Sequence, residues 1–208
     1  MTYHPVIGWE DGRGVPTLEA IGVRPGHTVL DFGCRVGRYV FPAAAVVGDQ
    51  GRVYAIDKEK DALEILKRKA AEEEWVNITP ILTSGELTLE FDDATMDLVL
   101  VYDVMHRMSQ RDRQLLMQEI ARVLKTGGIL STMLCHTEKY ENEQGDPGCS
   151  TDELIAEIEA AGLSFDRQLP ATGVHFECDG SYWPHEGTVS LDVLEKETVF
   201  NFFKRPGR

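Results

Sequence analysis

The 208-residue sequence lacks several features that would fix its class at once. It has no uninterrupted run of about 18 apolar residues, so we expect no membrane-spanning helix. The stretch MTYHPVIGWEDGRG at its start has no basic segment followed by an apolar core, which predicts no export signal. No C-x-x-C pair occurs among Cys34, Cys135, Cys149 and Cys178, which argues against a zinc knuckle and a disulfide framework. These absences favour a soluble cytoplasmic protein.

Basic residues are scarce relative to acidic ones. The chain has 21 Lys and Arg against 35 Asp and Glu, a formal net charge of −14. A surface of this sign repels phosphate backbones and anionic lipid headgroups. We therefore expect neither nucleic acid nor a membrane among the partners. The 42% of hydrophobic residues is sufficient for one core in a chain of single-domain length.

Short apolar runs alternate with segments of helical period, a pattern typical of a parallel sheet with helices on both faces. Pro80 interrupts the third run, which predicts an edge strand because proline cannot donate to a ladder. The fourth run is almost continuously apolar, as in a strand buried on both faces. The expected strands are TVLDF (28–32), RVYAID (52–57), NITPILT (77–83), MDLVLVY (96–102), ILSTML (129–134), LSFDRQL (163–169) and ETVFNFF (197–203).

We interpret residues 1–208 as one domain with two irregular parts. Residues 1–20 form an arm or a short helix, and Tyr3, His4 and Trp9 are candidates for a lid. Residues 170–196 form an irregular insertion before the last strand. Within the regular part, Ser109 with Asp112 and Ser150 with Glu153 predict helix N-termini, and K-T-G-G (125–128) ends the helix before the fifth strand.

The segment TVLDFGCRVGRYV breaks from a strand into a glycine turn. Gly33 can adopt positive φ for the turn, and Gly37 lets the next helix approach closely. A dinucleotide fingerprint needs G-x-G-x-x-G, whereas three residues separate these glycines and no third one follows at the required distance. A nicotinamide oxidoreductase is therefore a remote alternative.

The segment VLDFGCRVG resembles motif I, V-L-D-x-G-x-G-x-G, of the class I S-adenosylmethionine-dependent methyltransferases. Other landmarks of that family follow in order: Asp57, 20 residues after Gly37 (57 − 37), then MDLVLVYDVMHRM and IARVLKTGGIL. The resemblance covers roughly residues 16–169. It implies an α/β, Rossmann-like fold with a seven-stranded, mostly parallel sheet in the order 3-2-1-4-5-7-6, in which the last strand is antiparallel.

The resemblance also implies S-adenosylmethionine as cofactor, with Asp57 on its ribose hydroxyls. The alternative for Asp31 and Asp57 is that they only cap the helices that follow. Lys58 either borders the adenine or is simply solvated. The candidate cofactor-binding residues are Asp31, Gly33, Cys34, Arg35, Gly37, Asp57, Lys58, Gly85, Glu86 and Tyr102.

Two positions depart from the family pattern. Arg35 replaces the middle glycine of motif I, where it points to solvent, clasps the cofactor's carboxylate or obstructs binding. After the third strand, where relatives often place an Asp on the adenine amino group, the chain has Gly85 and Glu86. Glu86 is either a shifted substitute for that Asp or a solvated loop charge.

Asp103 and His106 follow the fourth strand, where a methyl acceptor would lie, and are the candidate catalytic residues. His106 either accepts a proton from the acceptor or holds the loop by a hydrogen bond. Y-D-V-M (102–105) lacks the [ND]-P-P-[YF] segment of amino-methyltransferases acting on nucleic acid bases, which favours a small-molecule acceptor, with a protein acceptor still open. The rival interpretation is a non-catalytic binding protein with an altered cofactor site.

No metal site is expected. His175, Cys178 and His185 are potential ligand types, but their spacings match no standard metal site.

Overall fold

Seven strands form one sheet in the computed structural model, which describes residues 9–133, 149–174 and 194–206. The order is β3-β2-β1-β4-β5-β7-β6, with β7 antiparallel to β5 and β6 and the other pairings parallel, which confirms the expected topology. The strands are β1 (Thr28–Phe32), β2 (Arg52–Asp57), β3 (Ile78–Leu82), β4 (Met96–Val101), β5 (Leu124–Met133), β6 (Leu163–Val174) and β7 (Leu194–Lys204).

Helices cover both faces of this sheet. One apolar cluster packs α1, α2 and α3 against one face, and a second packs α4 and α5 against the other. Along β4, Leu98 and Leu100 belong to the first cluster while Val99 and Val101 belong to the second. The helices are α1 (Gly14–Ile21), α2 (Val40–Val47), α3 (Lys60–Glu72), α4 (Gln110–Val123) and α5 (Thr151–Ala160), with short turns at Trp9–Arg13 and Met105–Arg107.

The strand positions follow the local signals. Among the described strands, β3, which contains Pro80, lies at the edge of the sheet and pairs only with β2. β4 lies near the centre, and Leu98, Val99 and Leu100 are fully buried, as its continuous apolar run predicts.

Both predicted helix caps are present. The Ser109 hydroxyl accepts the Asp112 N–H at 3.2 Å, and Ser150 and Glu153 form a reciprocal capping box. The predicted K-T-G-G stop is wrong in one respect, because α4 ends at Val123 and β5 begins at once at Leu124. These residues form an irregular start of β5, where the Lys125 ammonium contacts both carboxylate oxygens of Asp97 at 2.8 Å.

The N-terminal part of the described chain packs on α2. Trp9 is fully buried, its indole N–H donates to the Arg38 carbonyl at 2.8 Å, and its ring meets Tyr39 edge-on at 5.2 Å. Tyr3 and His4 lie outside the described residues.

The single-domain boundaries stay a prediction. β6 and β7 extend into the range 170–196 from both ends, and residues 175–193, including His175, Cys178 and His185, are not described. Within the described chain, no helix is long and apolar enough to cross a membrane.

Candidate cofactor and acceptor site

Three strands bring acidic residues to one edge of the sheet. Asp31 and Asp57 lie at the carboxyl ends of β1 and β2, and Asp103 follows β4. Since β1, β2 and β4 are parallel neighbours, their carboxyl ends meet at the same edge. That edge is where doubly wound sheets bind ligands.

Internal hydrogen bonds engage four of the five backbone N–H groups of the glycine turn, residues 33–37. The N–H groups of Gly33 and Cys34 donate to the Ile56 carbonyl at 2.9 and 3.0 Å, and that of Gly37 donates to the Cys34 carbonyl at 2.8 Å. The Arg35 N–H donates to Asp57 Oδ2 at 2.6 Å. These four donors are therefore not aimed at a ligand, whereas a pyrophosphate site needs such donors. The turn suits a cationic ligand better than an anionic one.

Gly33 also joins the turn to the loop after β4. Its φ is +83°, and a Cβ added there would lie 2.5 Å from Cγ2 of Val104. Glycine is needed at this position both for the backbone conformation and for the close approach of Val104. The glycine turn and the Val104 loop thus form one packed unit.

Arg35 retains the backbone conformation that suits the glycine it replaces in the motif. Its φ is +47°, in the left-handed region, which costs a non-glycine residue about 1–2 kcal/mol. Its side chain is half-buried. The substitution therefore leaves the left-handed turn intact and the bond from the Arg35 N–H to Asp57 in place.

Asp57 is buried and held by two backbone donors. Oδ2 accepts the Arg35 N–H at 2.6 Å, and Oδ1 accepts the Glu59 N–H at 2.8 Å. Glu59 is the N-cap residue of α3, so Oδ1 of Asp57 accepts a backbone donor at the start of that helix. Each carboxylate oxygen retains a second lone pair. The same carboxylate can therefore cap the helix and still accept two hydroxyl donors.

Asp31 is more deeply buried, with 3% of its surface exposed. Its Oδ2 has no hydrogen-bond partner among the described residues. Burial, reinforced by the negative charge of Asp57, raises the pKa of Asp31 to about 8. A buried carboxylate oxygen without a partner is rare and costly, and a positively charged ligand group would satisfy it.

Cys34 and Tyr102 are buried side chains near these acids. Burial, with the negative charges of Asp31 and Asp57, raises the pKa of the Cys34 thiol, so it stays protonated and unreactive. The Tyr102 hydroxyl shares a 2.7 Å hydrogen bond with the Ser131 hydroxyl, and burial raises the pKa of Tyr102.

Sequence reasoning missed the partners of Tyr102. Its ring meets Tyr39 edge-on at 4.7 Å, and its hydroxyl is engaged by Ser131. The sequence does indicate a buried polar contact at Ser131, because this polar residue lies within the apolar run ILSTML. Tyr39 and Val104 gave none, because their contacts join distant segments of the chain.

The residues proposed near an adenine lie on exposed loops after β2 and β3. The Asp57 carbonyl accepts the Thr83 N–H at 3.0 Å, and the Thr83 hydroxyl accepts the Gly85 N–H at 3.2 Å. A Cβ at Gly85 would lie 4.0 Å from Cδ of Lys58, so the Lys58 stem runs beside this loop. Glu86 is exposed on the same loop.

The candidate acceptor side is the loop 102–108. Asp103 adopts a left-handed φ of +55°, and His106 is half-buried in the short turn at Met105–Arg107. The Arg113 guanidinium anchors the end of this loop by donating to the Met108 carbonyl at 2.9 Å. No cluster of potential metal ligands occurs within ranges 9–133, 149–174 and 194–206.

Residues 29–128, which include the glycine turn, both acids and the Val104 loop, match the family described as "Methyltransferase domain". Over this range, 100 of the 208 residues, the chain is similar to methyltransferase domains. S-adenosylmethionine is the methyl donor of this family, as the motifs predicted.

Among curated relatives, the demethylmenaquinone methyltransferase of Lactococcus lactis subsp. lactis is 33% identical over 113 residues. The match covers 54% of this chain and 43% of the relative, so the chain spans less than half of that enzyme's length.

Solved structures confirm the fold. A SAM-dependent methyltransferase from Aquifex aeolicus superposes with a TM-score of 0.67 at 22% identity, covering 94% of this chain and 91% of that one. The [4+2]-cyclase SpnF superposes with a TM-score of 0.67 at 16% identity, covering 93% of this chain and 81% of that one. Identities this low show shared architecture and nothing further.

Proposed function

We propose that the protein transfers the methyl group of S-adenosylmethionine to a small-molecule acceptor. The observation that carries the proposal is the pair of buried acids, Asp31 and Asp57, at a glycine turn whose four named N–H donors are already used. Such a site favours a ligand with positive charge and hydroxyl donors. The cofactor, when bound, supplies an electrophilic methyl group together with its leaving group.

Each acid suits a different part of this cofactor. Asp57 has lone pairs left for the two ribose hydroxyls after accepting two backbone donors. Asp31 has a buried carboxylate oxygen, Oδ2, without a hydrogen-bond partner among the described residues, and the positively charged end of the ligand would compensate its negative charge. Lys58, Gly85 and Glu86 would border the adenine, since the loops that carry them adjoin Asp57.

The chain's own residues would position the acceptor and accept the proton that the acceptor loses. Holding two reactants in line is worth roughly 7–11 kcal/mol. His106 would accept a proton from the acceptor, and Asp103 would orient the acceptor or the imidazole. Val104 packs their loop against the glycine turn, which would keep both candidates near a cofactor bound at that turn.

A small molecule is the acceptor class that the observations favour. The net charge of −14 disfavours nucleic acid, and Y-D-V-M lacks the segment with which base methyltransferases hold their target. The relative from Lactococcus lactis is named for a small-molecule substrate, demethylmenaquinone.

The rival is a binding protein that keeps this fold without catalysis. The fold alone does not decide, since a [4+2]-cyclase shares it. Arg35 was the feature in favour of the rival, but its backbone keeps a left-handed φ and still binds Asp57. That retained geometry supports the enzymatic proposal.

Calorimetric titration with S-adenosylmethionine tests the proposal. The wild type should bind, and Asp57→Ala should lose most of the affinity because the ribose acceptor is removed. Asp61→Ala, which removes an exposed acid near the start of α3, is the matched control and should bind like the wild type. Absence of wild-type binding at millimolar ligand would leave only the non-catalytic protein.

A further inference from the structure

We propose that Asp31 releases a proton to solvent when the methyl donor binds, so that the donor's positive charge takes the place of that proton. This inference rests on the proposed function and deepens it, because it makes donor affinity depend on pH through one residue.

The geometry isolates Asp31 from solvent and from compensating partners. It lies on β1 between β2 and β4, with 3% of its surface exposed and Oδ2 unpartnered among the described residues. The carboxyl therefore lies in a low-dielectric environment in which one buried oxygen has no compensating hydrogen bond. A cation placed there would gain a strong interaction only with the ionised form.

The surroundings disfavour that ionised form before a ligand arrives. The negative charge of Asp57 acts on Asp31 and repels the negative charge that Asp31 would carry when ionised. Burial and this charge raise the pKa of Asp31 to about 8, so the group is protonated at neutral pH. The titratable or charged residues at this end of the adjoining elements are Asp57 at the end of β2, Cys34, Arg35 and Arg38 in and after the glycine turn, and Tyr102 and Asp103 after β4, while Arg52, Tyr54 and Asp97 lie nearer the amino ends of β2 and β4.

The exchange is a simple ionisation. The O–H bond of the Asp31 carboxylic acid breaks, the proton goes to buffer, and the carboxylate pairs with the ligand's ammonium or sulfonium. Because the ligand binds the ionised form, its affinity rises as pH increases towards the pKa of the free site and levels off above it. One linked proton gives about tenfold tighter binding for each pH unit in the rising range.

Calorimetry in buffers of equal pH but different ionisation heats counts the protons. At pH 7, wild type should release about one more proton per S-adenosylmethionine bound than Asp31→Asn, since the ligand's own amine contributes equally to both. From pH 6 to 7, wild-type affinity should rise about tenfold beyond any change in Asp31→Asn. Asp61→Asn is the matched control and should behave as the wild type.

The outcomes separate this inference from the proposed function. Failure of the wild type to bind sinks the proposed function. Binding with equal proton release by wild type and Asp31→Asn overturns the inference and leaves the function standing. If Asp31→Asn does not fold, infrared difference spectroscopy of the wild type replaces it. A protonated carboxyl band at pH 7 that disappears on donor binding supports the exchange, and its absence refutes it.

Discussion

The glycine turn (33–37) and the Val104 loop (102–108) meet at the same sheet edge but are built by different means. Each has a non-glycine residue in the left-handed region, Arg35 at φ +47° and Asp103 at φ +55°. Hydrogen bonds from its own backbone N–H groups, to the Ile56 carbonyl and to the Asp57 carboxylate, hold the first. The second is fixed by side chains, with Val104 packed against Gly33 and Arg113 bound to the Met108 carbonyl.

This difference explains what each segment can vary. Because backbone N–H groups hold the turn, position 35 tolerates a side chain, and the arginine there leaves the hydrogen bonds of the turn in place. A loop held by side chains changes shape when those side chains change, which suits a surface that selects the acceptor. Under the proposed function, the glycine turn would bind the cofactor and the Val104 loop would select the acceptor.

The largest expected effect comes from the acceptor loop. His106→Gln should lower kcat about 10²–10⁴-fold, equivalent to roughly 3–5 kcal/mol, by removing the proton acceptor. Affinity for S-adenosylmethionine should stay unchanged, because the glycine turn does not depend on His106. The measurement is formation of S-adenosylhomocysteine across pH, with an acceptor found by screening small molecules.

The control for that variant is His27→Gln. His27 is half-buried and lies next to the start of β1, at the amino end of that strand and therefore away from the candidate site. This control should keep the wild-type rate. If His106 only holds the loop, His106→Gln will retain the pH profile of the wild type, and the catalytic assignment will be wrong.

The next effect tests the junction between the two segments. Gly33→Ala should lower the free energy of unfolding by about 2–4 kcal/mol and abolish cofactor binding, because it adds backbone strain and a clash with Val104. Gly26→Ala has a similar φ, +79°, with no atom within 4 Å of the added Cβ, so it carries the strain alone. Urea unfolding measures both, and equal losses would disprove a packed junction.

The smallest effect concerns the arginine in motif I. Arg35→Gly should stabilise the protein by about 0.5–1 kcal/mol, because relief of about 1–2 kcal/mol of left-handed strain exceeds the added entropy of an unfolded glycine. The affinity for S-adenosylmethionine should change less than about fivefold. A binding free-energy change of about 1.4 kcal/mol is needed for a tenfold change in affinity, and the change expected here is below about 1 kcal/mol. Arg35→Ala separates the effect of the guanidinium from that of the backbone, because alanine removes the guanidinium but keeps the left-handed backbone strain. A large loss of affinity in both variants would show that the guanidinium itself binds the donor.

Much of the fold follows from local signals in the sequence. Apolar runs located the strands, Pro80 marked an edge strand, and Ser109 and Ser150 marked helix starts, because each of these acts within a few residues. The strand order came from the family resemblance. The irregular start of β5 was missed, since it depends on Lys125 meeting Asp97 from another strand.

The candidate site was foreseeable in part. Asp31 and Asp57 stood at strand ends in the sequence, and the structure brings them to one sheet edge. The hydrogen bond from the Arg35 N–H to the Asp57 carboxylate and the contact of Val104 with Gly33 were not foreseeable. Both depend on the three-dimensional approach of separate strands, which no local pattern records.

A crystal structure of the protein with S-adenosylmethionine tests the central claim most directly. The account predicts both ribose hydroxyls on the Asp57 carboxylate and the ligand's ammonium or sulfonium next to Asp31, with hydrogen bonds of about 3 Å. A guanidinium of Arg35 in the place of the adenosyl group, or a cofactor bound away from both acids, would contradict it.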